Sequence, residues 1–568
     1  MSQAETTERT EARPSRSYWT AVLLAAFLLC AYLFVWSLGT EPTIGDEARH
    51  YRRAVDYFEA PLPHFRVTHD PAYSPSGPGS IVYYDTSLWH EGLALIWKAV
   101  GRVSTPLAQG YHLLFFFGLV VFTSLAGREL FGRRGGLWGA AVMATIPINL
   151  LLATVFYMEI PMLMFIAAAV YFLLRRKPVL LGIALGGAYL VKAPTAMVLI
   201  VPLLVATLVK IGDTWRQRLL RMGLVVAAMI VVTLPDMSWH LKNFGTPIMF
   251  RNYTSVYYPK VITDDLVKLP TLGTSAVPLS LYDPEVVAKM FGPTGLVALL
   301  VGIVMMVRGL FECLKEGVAA WWREGAGAAA RALASPGLAY AWVLSLPLLF
   351  YLVAFAVLLP GAYDIRYLQP LTLFGSLALG GWVGRLGVLR YEGRRKWLVR
   401  GMGWLLIAAI VGQALAVPAV VHRRRQLDPE IETAFRWIRK HTPKDSRILY
   451  LEENLMAMTG RPIVWVAAVP RYLFSADEAH QVAVLKFVNA SYIAVHPTRR
   501  CDTSPVTREP MAYPRDWLRT LPGRPYLERV YPPGDLPDTE GRFVLYRIDY
   551  SKVPPEWLKA LDRWPEYP

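Results

Sequence analysis

The sequence predicts a polytopic α-helical membrane protein with a small extracytoplasmic α/β domain at its carboxyl end. Hydrophobic residues make up 54% of the 568 residues and charged residues only 18%, whereas soluble domains contain about 45–50% and 25%. Apolar runs of about 20 residues, long enough to span a bilayer, recur along the chain. Beyond residue 421 these runs give way to short apolar segments separated by polar ones.

The first membrane helix is predicted at 18–38, after a polar tail at 1–17. This apolar run is too long for the core of a signal peptide, so we expect the helix to be retained. The membrane domain then covers 18–421. Ten further apolar runs give eleven predicted crossings, and they lie at 108–126, 137–156, 160–174, 179–191, 195–211, 220–236, 293–308, 338–359, 368–384 and 401–421.

The excess of basic residues predicts the orientation of the chain. There are 59 Lys and Arg against 43 Asp and Glu, a formal charge of +16. The basic residues cluster in short loops between apolar runs, where they mark the cytoplasmic side, so nucleic acid is not an expected partner. The prediction is an inner-membrane protein with a cytoplasmic N-terminus and an outer C-terminus. Cys30, Cys313 and Cys501 lie in dissimilar segments and predict no disulfide.

Three segments are predicted outside the bilayer. The outer loops 40–106 and 237–292 carry carboxylates, aromatics and prolines, and we expect interfacial helices and ordered loops that roof a cavity. The third segment, 422–568, begins with a helix from Ile431 to His441, capped by Asp428 ahead of Pro429. Strands are predicted at 447–451, 463–469, 492–496 and 543–548.

Two adjacent carboxylates, Asp46 and Glu47, follow the first helix. Charges beside the membrane are candidates for function, here as a proton acceptor or a cation ligand. The alternative is that both residues cap the first turn of an interfacial helix. Arg49 and Tyr51 lie on that same predicted helix and are candidates for binding substrate.

Three later outer turns each offer a polar side chain. Glu159 lies in a long apolar stretch and either belongs to a site or snorkels to the interface. Lys192 lies at a tight turn and either holds an anion or snorkels. Arg366, with Tyr367 beside it, either binds phosphate through its planar fork or anchors the chain at the interface. All of these turns are predicted on the outer side of the membrane, together with Asp46 and Glu47, and this shared location favours one composite site.

A metal site is not predicted. Four histidines share the first outer loop with Asp70 and Glu91, but their spacing matches no zinc signature. The histidines are His50, His64, His69 and His90.

The order of these motifs resembles the GT-C superfamily of polytopic glycosyltransferases, especially the group of the protein O-mannosyltransferases and the lipid A aminoarabinose transferase. Gly45-Asp46-Glu47 resembles their acidic first-loop motif, and 127–161 is similar to their second and third helices with a second acidic site. Gly182 to Lys192 resembles a glycine-rich helix that ends in lysine. Arg366-Tyr367-Leu368 resembles the turn near the donor phosphate.

The resemblance implies transfer of a hexosyl or pentosyl group from a polyprenyl phosphate, such as undecaprenyl phosphate, to a hydroxyl or amine of a lipid, glycan or protein. It implies inversion at the sugar, no cofactor and a role in cell-envelope glycosylation. By this resemblance Asp46 would act as the base that removes the acceptor proton, and Glu47 would orient the acceptor or the donor. Lys192 and Arg366 would stabilise the departing phosphate. Two features depart from the family: Glu159 replaces the usual aspartate, and Asp85 to Glu91 replace a His-Pro-Pro-Leu-like turn.

Two other functions are compatible with the charges. A transporter or flippase for a lipid-linked or anionic solute would use the same residues as a binding site. The chain shows no convincing inverted repeat of broken helices, and its large outer loops favour an enzyme. A scaffold without catalysis would tolerate loss of all four polar turns.

Overall fold

The computed structural model of the chain is mainly helical. It describes residues 16–42, 46–60, 88–210, 214–244, 284–325, 340–357, 368–386, 394–426, 428–450, 454–465, 477–487, 489–495, 515–534 and 542–558, with isolated positions between 328 and 338. The chain divides into two compact units. The first comprises residues 1–38, 84–89 and 106–422, and the second comprises 39–83, 90–105 and 423–568.

The first unit contains the apolar helices, except for Thr105 and residues 423–425 at the ends of two of them, which belong to the second unit. They are α1 (Arg16–Ser37), α4 (Thr105–Thr145), α5 (Pro147–Thr154), α6 (Glu159–Leu174), α7 (Pro178–Lys210), α8 (Trp215–Phe244), α9 (Pro284–Glu324), a π-turn (Ala341–Ser345) continuing into α10 (Leu346–Val357), α11 (Pro370–Leu386) and α12 (Arg394–Arg425). The predicted apolar runs fall largely on these helices, and the run 137–156 is divided between α4 and α5.

Five of the described helices are long and apolar enough to cross a membrane by themselves, and the bent pair α5 and α6 makes a sixth candidate. Some predicted pairs of crossings appear here as single helices with an internal break. Gly132 has φ 79° and interrupts α4, and Lys192 interrupts α7. The count of eleven crossings stays a prediction, as does the orientation of the termini.

Glycines bring α4 and α11 into close contact. A Cβ atom added to Gly380 would overlap the backbone of Gly135 and Gly139, and one added to Gly384 would lie 2.8 Å from the amide nitrogen of Gly135. Lipid provides no hydrophobic drive for helix association, so membrane helices gain stability from close packing at small residues. These glycines therefore allow the two backbones to touch.

The second unit contains two helices of the first outer loop, α2 (Asp46–Glu59) and most of α3 (Leu88–Val100). Its C-terminal segment begins with α13 (Pro429–His441), and the Asp428 carboxylate accepts a bond of 2.9 Å from the Glu430 amide, as predicted. Helices α14 (Asn454–Thr459), α15 (Glu478–Phe487) and α16 (Arg515–Thr520) follow.

A five-stranded sheet lies in the same unit, in the order β2-β1-β3-β5-β4. The strands are β1 (Ile448–Tyr450), β2 (Ile463–Trp465), β3 (Tyr492–Val495), β4 (Leu527–Tyr531) and β5 (Val544–Ile548). β1 pairs in parallel with β2 and β3, whereas β5 is antiparallel to β3 and β4. Each of the four predicted strands contains an observed one. β4 was not predicted, because this half-exposed edge strand carries charged residues that weaken its apolar pattern.

Candidate active site

Glu159 lies where an apolar helix pair is sharply bent. α5 ends at Thr154, and α6 begins at Glu159 after a bend of 117°. The carboxylate therefore lies in the first turn of α6, where the partial positive charge of the helix favours an anion. Only 1% of the residue is exposed, so the carboxylate needs a partner inside the protein.

Lys192 supplies that partner. Its backbone, at φ −154° and ψ 77°, breaks α7 two residues before Pro194, which has no amide hydrogen to continue the helix. Its Nζ donates a hydrogen bond of 2.5 Å to Oε1 of Glu159, and its side chain is 20% exposed against 2% for Glu159. Two breaks in apolar helices thus bring two predicted residues into one ion pair.

A neutral polar cluster lies in the same unit, at the start of α5 and of α11. Gln369 Nε2 donates to Asn149 Oδ1 at 3.0 Å, and Asn149 Nδ2 donates to the carbonyl oxygen of Met143 at 2.8 Å. Asn149 and Gln369 are fully buried. Gln369 is three residues after Arg366 in the sequence. Arg366 and Tyr367 themselves lie outside the described residues.

The sequence interpretation overlooked Asn149 and Gln369. Both are uncharged polar residues in or beside apolar runs, and this is the signal that would have identified them. An amide buried in a membrane protein is costly unless its donors and acceptors are bonded, so such residues commonly mark an ordered contact.

In the second unit, the acidic pair Asp46 and Glu47 begins α2. Asp46 is the first residue of the helix, and its side chain lies outside the described part of the chain. Glu47 is fully buried and forms an ion pair with Arg425, the last residue of α12. Arg425 was not singled out from the sequence. Its signal is three consecutive arginines, 423–425, on the predicted outer side, against the usual bias of basic residues towards the cytoplasm.

Most of the remaining candidates on α2 are also buried. The Tyr51 hydroxyl is hydrogen-bonded to Oγ1 of Thr105 at 3.1 Å, and Arg49 is half-buried. His50 Nδ1 and His90 Nε2 are 3.0 Å apart and share a hydrogen bond. Burial first, and then the charges of Arg53 and Arg49, lower the pKa of His90 well below its usual value, so His90 is neutral at pH 7.

Among the described residues, no group of three or more His, Cys, Asp and Glu side chains is arranged to hold a metal ion. Of the other residues in that predicted group, Glu91 lies in α3, and His64, His69 and Asp70 lie outside the described part of the chain.

Comparison with known proteins places this geometry in context. Residues 101–239, about a quarter of the chain, match the sequence model of the dolichyl-phosphate-mannose-protein mannosyltransferase family. This segment contains both Glu159 and Lys192. No curated protein sequence matches the chain.

Solved structures show a more extensive similarity. The oligosaccharyltransferase AglB of Archaeoglobus fulgidus, in complex with an inhibitory peptide and a dolichol-phosphate, aligns with a TM-score of 0.58 and 12% identity, over 84% of this chain and 69% of AglB. ArnT of Cupriavidus metallidurans, bound to undecaprenyl phosphate, aligns with a TM-score of 0.55 and 12% identity, over 94% of this chain and 98% of ArnT.

The mycobacterial arabinofuranosyltransferase AftD aligns with a TM-score of 0.50 and 15% identity, over 94% of this chain but 40% of AftD. All three neighbours are GT-C glycosyltransferases. At these identities the alignments show the fold alone, and the predicted resemblance to the GT-C superfamily is confirmed at the level of the fold. The chain is an integral membrane protein with this fold.

Proposed function

We propose that this chain is a membrane glycosyltransferase that moves a sugar from a polyprenyl-phosphate donor to an acceptor at the outer face of the membrane. The observation that carries the proposal is the Glu159–Lys192 ion pair, which lies where two apolar helices break and within the segment matched by the mannosyltransferase family. A charged pair of this kind among apolar helices is a candidate functional site.

The donor is proposed to be a lipid phosphate because two neighbours of the same fold were solved with dolichol-phosphate and undecaprenyl phosphate. Lys192 and Arg366 would stabilise the negative charge that grows on the phosphate as the sugar departs. The lipid tail would stay in the bilayer throughout the reaction.

Asp46 is proposed to act as the base that activates the acceptor. The acceptor oxygen or nitrogen attacks the anomeric carbon while the bond from that carbon to the phosphate oxygen breaks, which inverts the configuration. The acceptor proton passes to the Asp46 carboxylate, and polyprenyl phosphate leaves as the anion. Arg49 and Tyr51, on the same helix, are proposed to bind substrate. The acceptor is a hydroxyl or amine on a lipid, a glycan or a protein.

A gene deletion tests this function in the cell. We expect the deletion strain to accumulate a polyprenyl-phosphate sugar and to lose one sugar from an envelope glycan, lipid or protein. Mass spectrometry of both fractions measures the change. Unchanged lipid-linked sugars and unchanged envelope glycans would contradict the proposal.

Removal of metal ions is expected to leave the transfer rate within a factor of about 2. Lys192 and Arg366 already supply positive charge where the phosphate departs, which is the task a metal ion would otherwise perform. The check is the rate after dialysis against EDTA, with and without added Mg²⁺ or Mn²⁺. Complete loss in EDTA with recovery in Mn²⁺ would assign the first-loop acids to metal binding.

Arg366→Ala is expected to lower the apparent affinity for the donor, or kcat at saturating acceptor, by about 10²-fold. The reason is that a guanidinium donates two parallel hydrogen bonds to a phosphate. Arg366→Lys keeps the charge without the planar fork and should retain part of the activity. Separate titrations of donor and acceptor measure the defect. A change confined to the apparent affinity for the acceptor would remove Arg366 from the phosphate site.

A further inference from the structure

A pocket of about 260 Å³ lies within the second unit, where α14 packs against α2. Its polar side is formed by Glu41, Tyr51, Arg52 and Arg439, and its apolar side includes Val55 and Met458. The volume is close to the lower end of the range for small-molecule pockets, which begins at about 300 Å³. The pocket therefore accommodates a single ring and excludes an extended chain.

We propose that this pocket binds one neutral sugar ring of a glycan acceptor, an inference that rests on the proposed function and narrows its acceptor to one class. Tyr51, already proposed to bind substrate, lies in the wall of the pocket. The first outer loop supplies one side of the pocket, and α13 and α14 of the C-terminal segment supply the other. The C-terminal segment thereby gains a part in acceptor binding.

Hydrogen bonds hold the polar side of the pocket in place. The Tyr51 hydroxyl is 3.1 Å from Oγ1 of Thr105, and this Oγ1 donates to Oε2 of Glu41 at 3.4 Å. A threonine hydroxyl has one proton, so Tyr51 donates to Thr105 when Thr105 donates to Glu41. Among the described residues no donor bonds the other carboxylate oxygen of Glu41, Oε1. That oxygen can therefore accept a hydrogen bond from a ligand.

The charges around the pocket favour a neutral ligand over an anion. Arg52 forms an ion pair of 2.8 Å with Asp56. Arg439 is exposed in the last turn of α13 and forms no ion pair with a carboxylate in the described part of the chain, but its charge acts on that of Glu41. Each arginine thus has a carboxylate nearby. A phosphate or a further carboxylate in the pocket would be repelled by Glu41.

Sugar hydroxyls match the polar groups that the pocket offers. A hydroxyl both donates and accepts, whereas a carboxylate only accepts and a guanidinium only donates. Glu41 and Arg439 can therefore satisfy the two roles of neighbouring hydroxyls on one ring. Val55 and Met458 provide an apolar surface for the C–H groups of that ring. A hydrocarbon chain would bury the polar groups without giving them partners, which is costly.

The experiment measures binding by the purified full chain in lipid nanodiscs, without donor. The probes are neutral and acidic oligosaccharides, separated by anion exchange from envelope glycans, and inorganic phosphate. Saturation-transfer NMR and hydrogen exchange of residues 454–460 report binding. Two variants change the pocket: Arg439→Gln removes a donor, and Ala457→Leu adds bulk at the wall. The matched control is Arg436→Gln, on the same helix, where Arg436 forms an exposed ion pair with Glu432.

We expect the neutral fraction to bind and to slow exchange of residues 454–460, and the acidic fraction and phosphate to leave exchange unchanged. Arg439→Gln should raise the acceptor KM about 10-fold, as expected for the loss of one hydrogen bond to a charged group. Ala457→Leu should weaken the same binding with all polar groups retained. Arg436→Gln should stay within about a factor of 2 of the wild type, as surface substitutions usually do.

Binding confined to the acidic fraction or to phosphate would overturn the proposal in favour of an anion site. Binding of no probe, or a wild-type acceptor KM in both pocket variants, would also overturn it. Transfer of sugar to a lipid or a protein alone would overturn the pocket assignment and support the proposed function. Binding of the neutral fraction by a wild-type chain that transfers no sugar would instead contradict the proposed function and support the pocket.

Discussion

Asp46→Asn is expected to lower the rate of sugar transfer by about 10²–10⁴-fold, the usual loss when a positioned base is removed. Asparagine keeps the shape of the side chain and is favoured at the start of helices, so α2 should remain folded. It cannot accept the acceptor proton at neutral pH. The measurement is kcat of the purified variant with a saturating donor and acceptor.

The matched control for this variant is Glu59→Gln. Glu59 lies on the same helix, its side chain is 59% exposed, and it forms an ion pair of 3.3 Å with Arg52. Such pairs contribute little to stability, so this variant should keep activity within about a factor of 2. Near wild-type turnover by Asp46→Asn would remove Asp46 from its proposed role, and equal losses in both variants would indicate a structural defect of α2.

Lys192→Met is the second change with a large expected effect. Removing a cation from the place where negative charge develops should lower kcat by about 10²–10³-fold. It should also lower the thermal unfolding temperature, because the Glu159 carboxylate would stay buried without its ammonium partner. The control is Lys440→Met, which removes an exposed lysine from the end of α13 and should change neither quantity.

Stability and catalysis are separated by adding Glu159→Gln to Lys192→Met. The double variant no longer buries an unpaired charge, so its unfolding temperature should recover most of the loss. Its transfer rate should stay as low as that of Lys192→Met. If the rate recovers together with the unfolding temperature, Lys192 serves only to neutralise Glu159 and has no part in stabilising the phosphate.

The features that the sequence predicted well depend on local patterns. The long apolar runs are helical over most of their length, since a backbone in lipid must bond its own amides and carbonyls. The cap at Asp428 was predictable for the same reason, because it involves only the next two residues. The break at Lys192 follows from Pro194 close by in the sequence.

The contacts made by the candidate residues within each unit depend on the folded chain. Glu159 and Lys192 were predicted at separate outer turns, and it is the bend between α5 and α6 and the break in α7 that join them. The pair of Glu47 and Arg425 links residues 378 positions apart, a distance over which no spacing rule applies. The Asn149–Gln369 bond is likewise long-range and involves uncharged residues, which a pattern of charges does not identify.

The most direct test of the proposed function uses the purified chain in lipid nanodiscs with a polyprenyl-phosphate sugar labelled in the sugar and an acceptor fraction from the cell envelope. Wild-type protein should release polyprenyl phosphate and form an equal amount of a new, inverted glycosidic bond, measured by mass spectrometry and NMR. Asp46→Asn should form neither product. Intact donor recovered without any new glycosidic bond, together with movement of the labelled lipid across proteoliposome membranes, would contradict the proposal and identify a transporter.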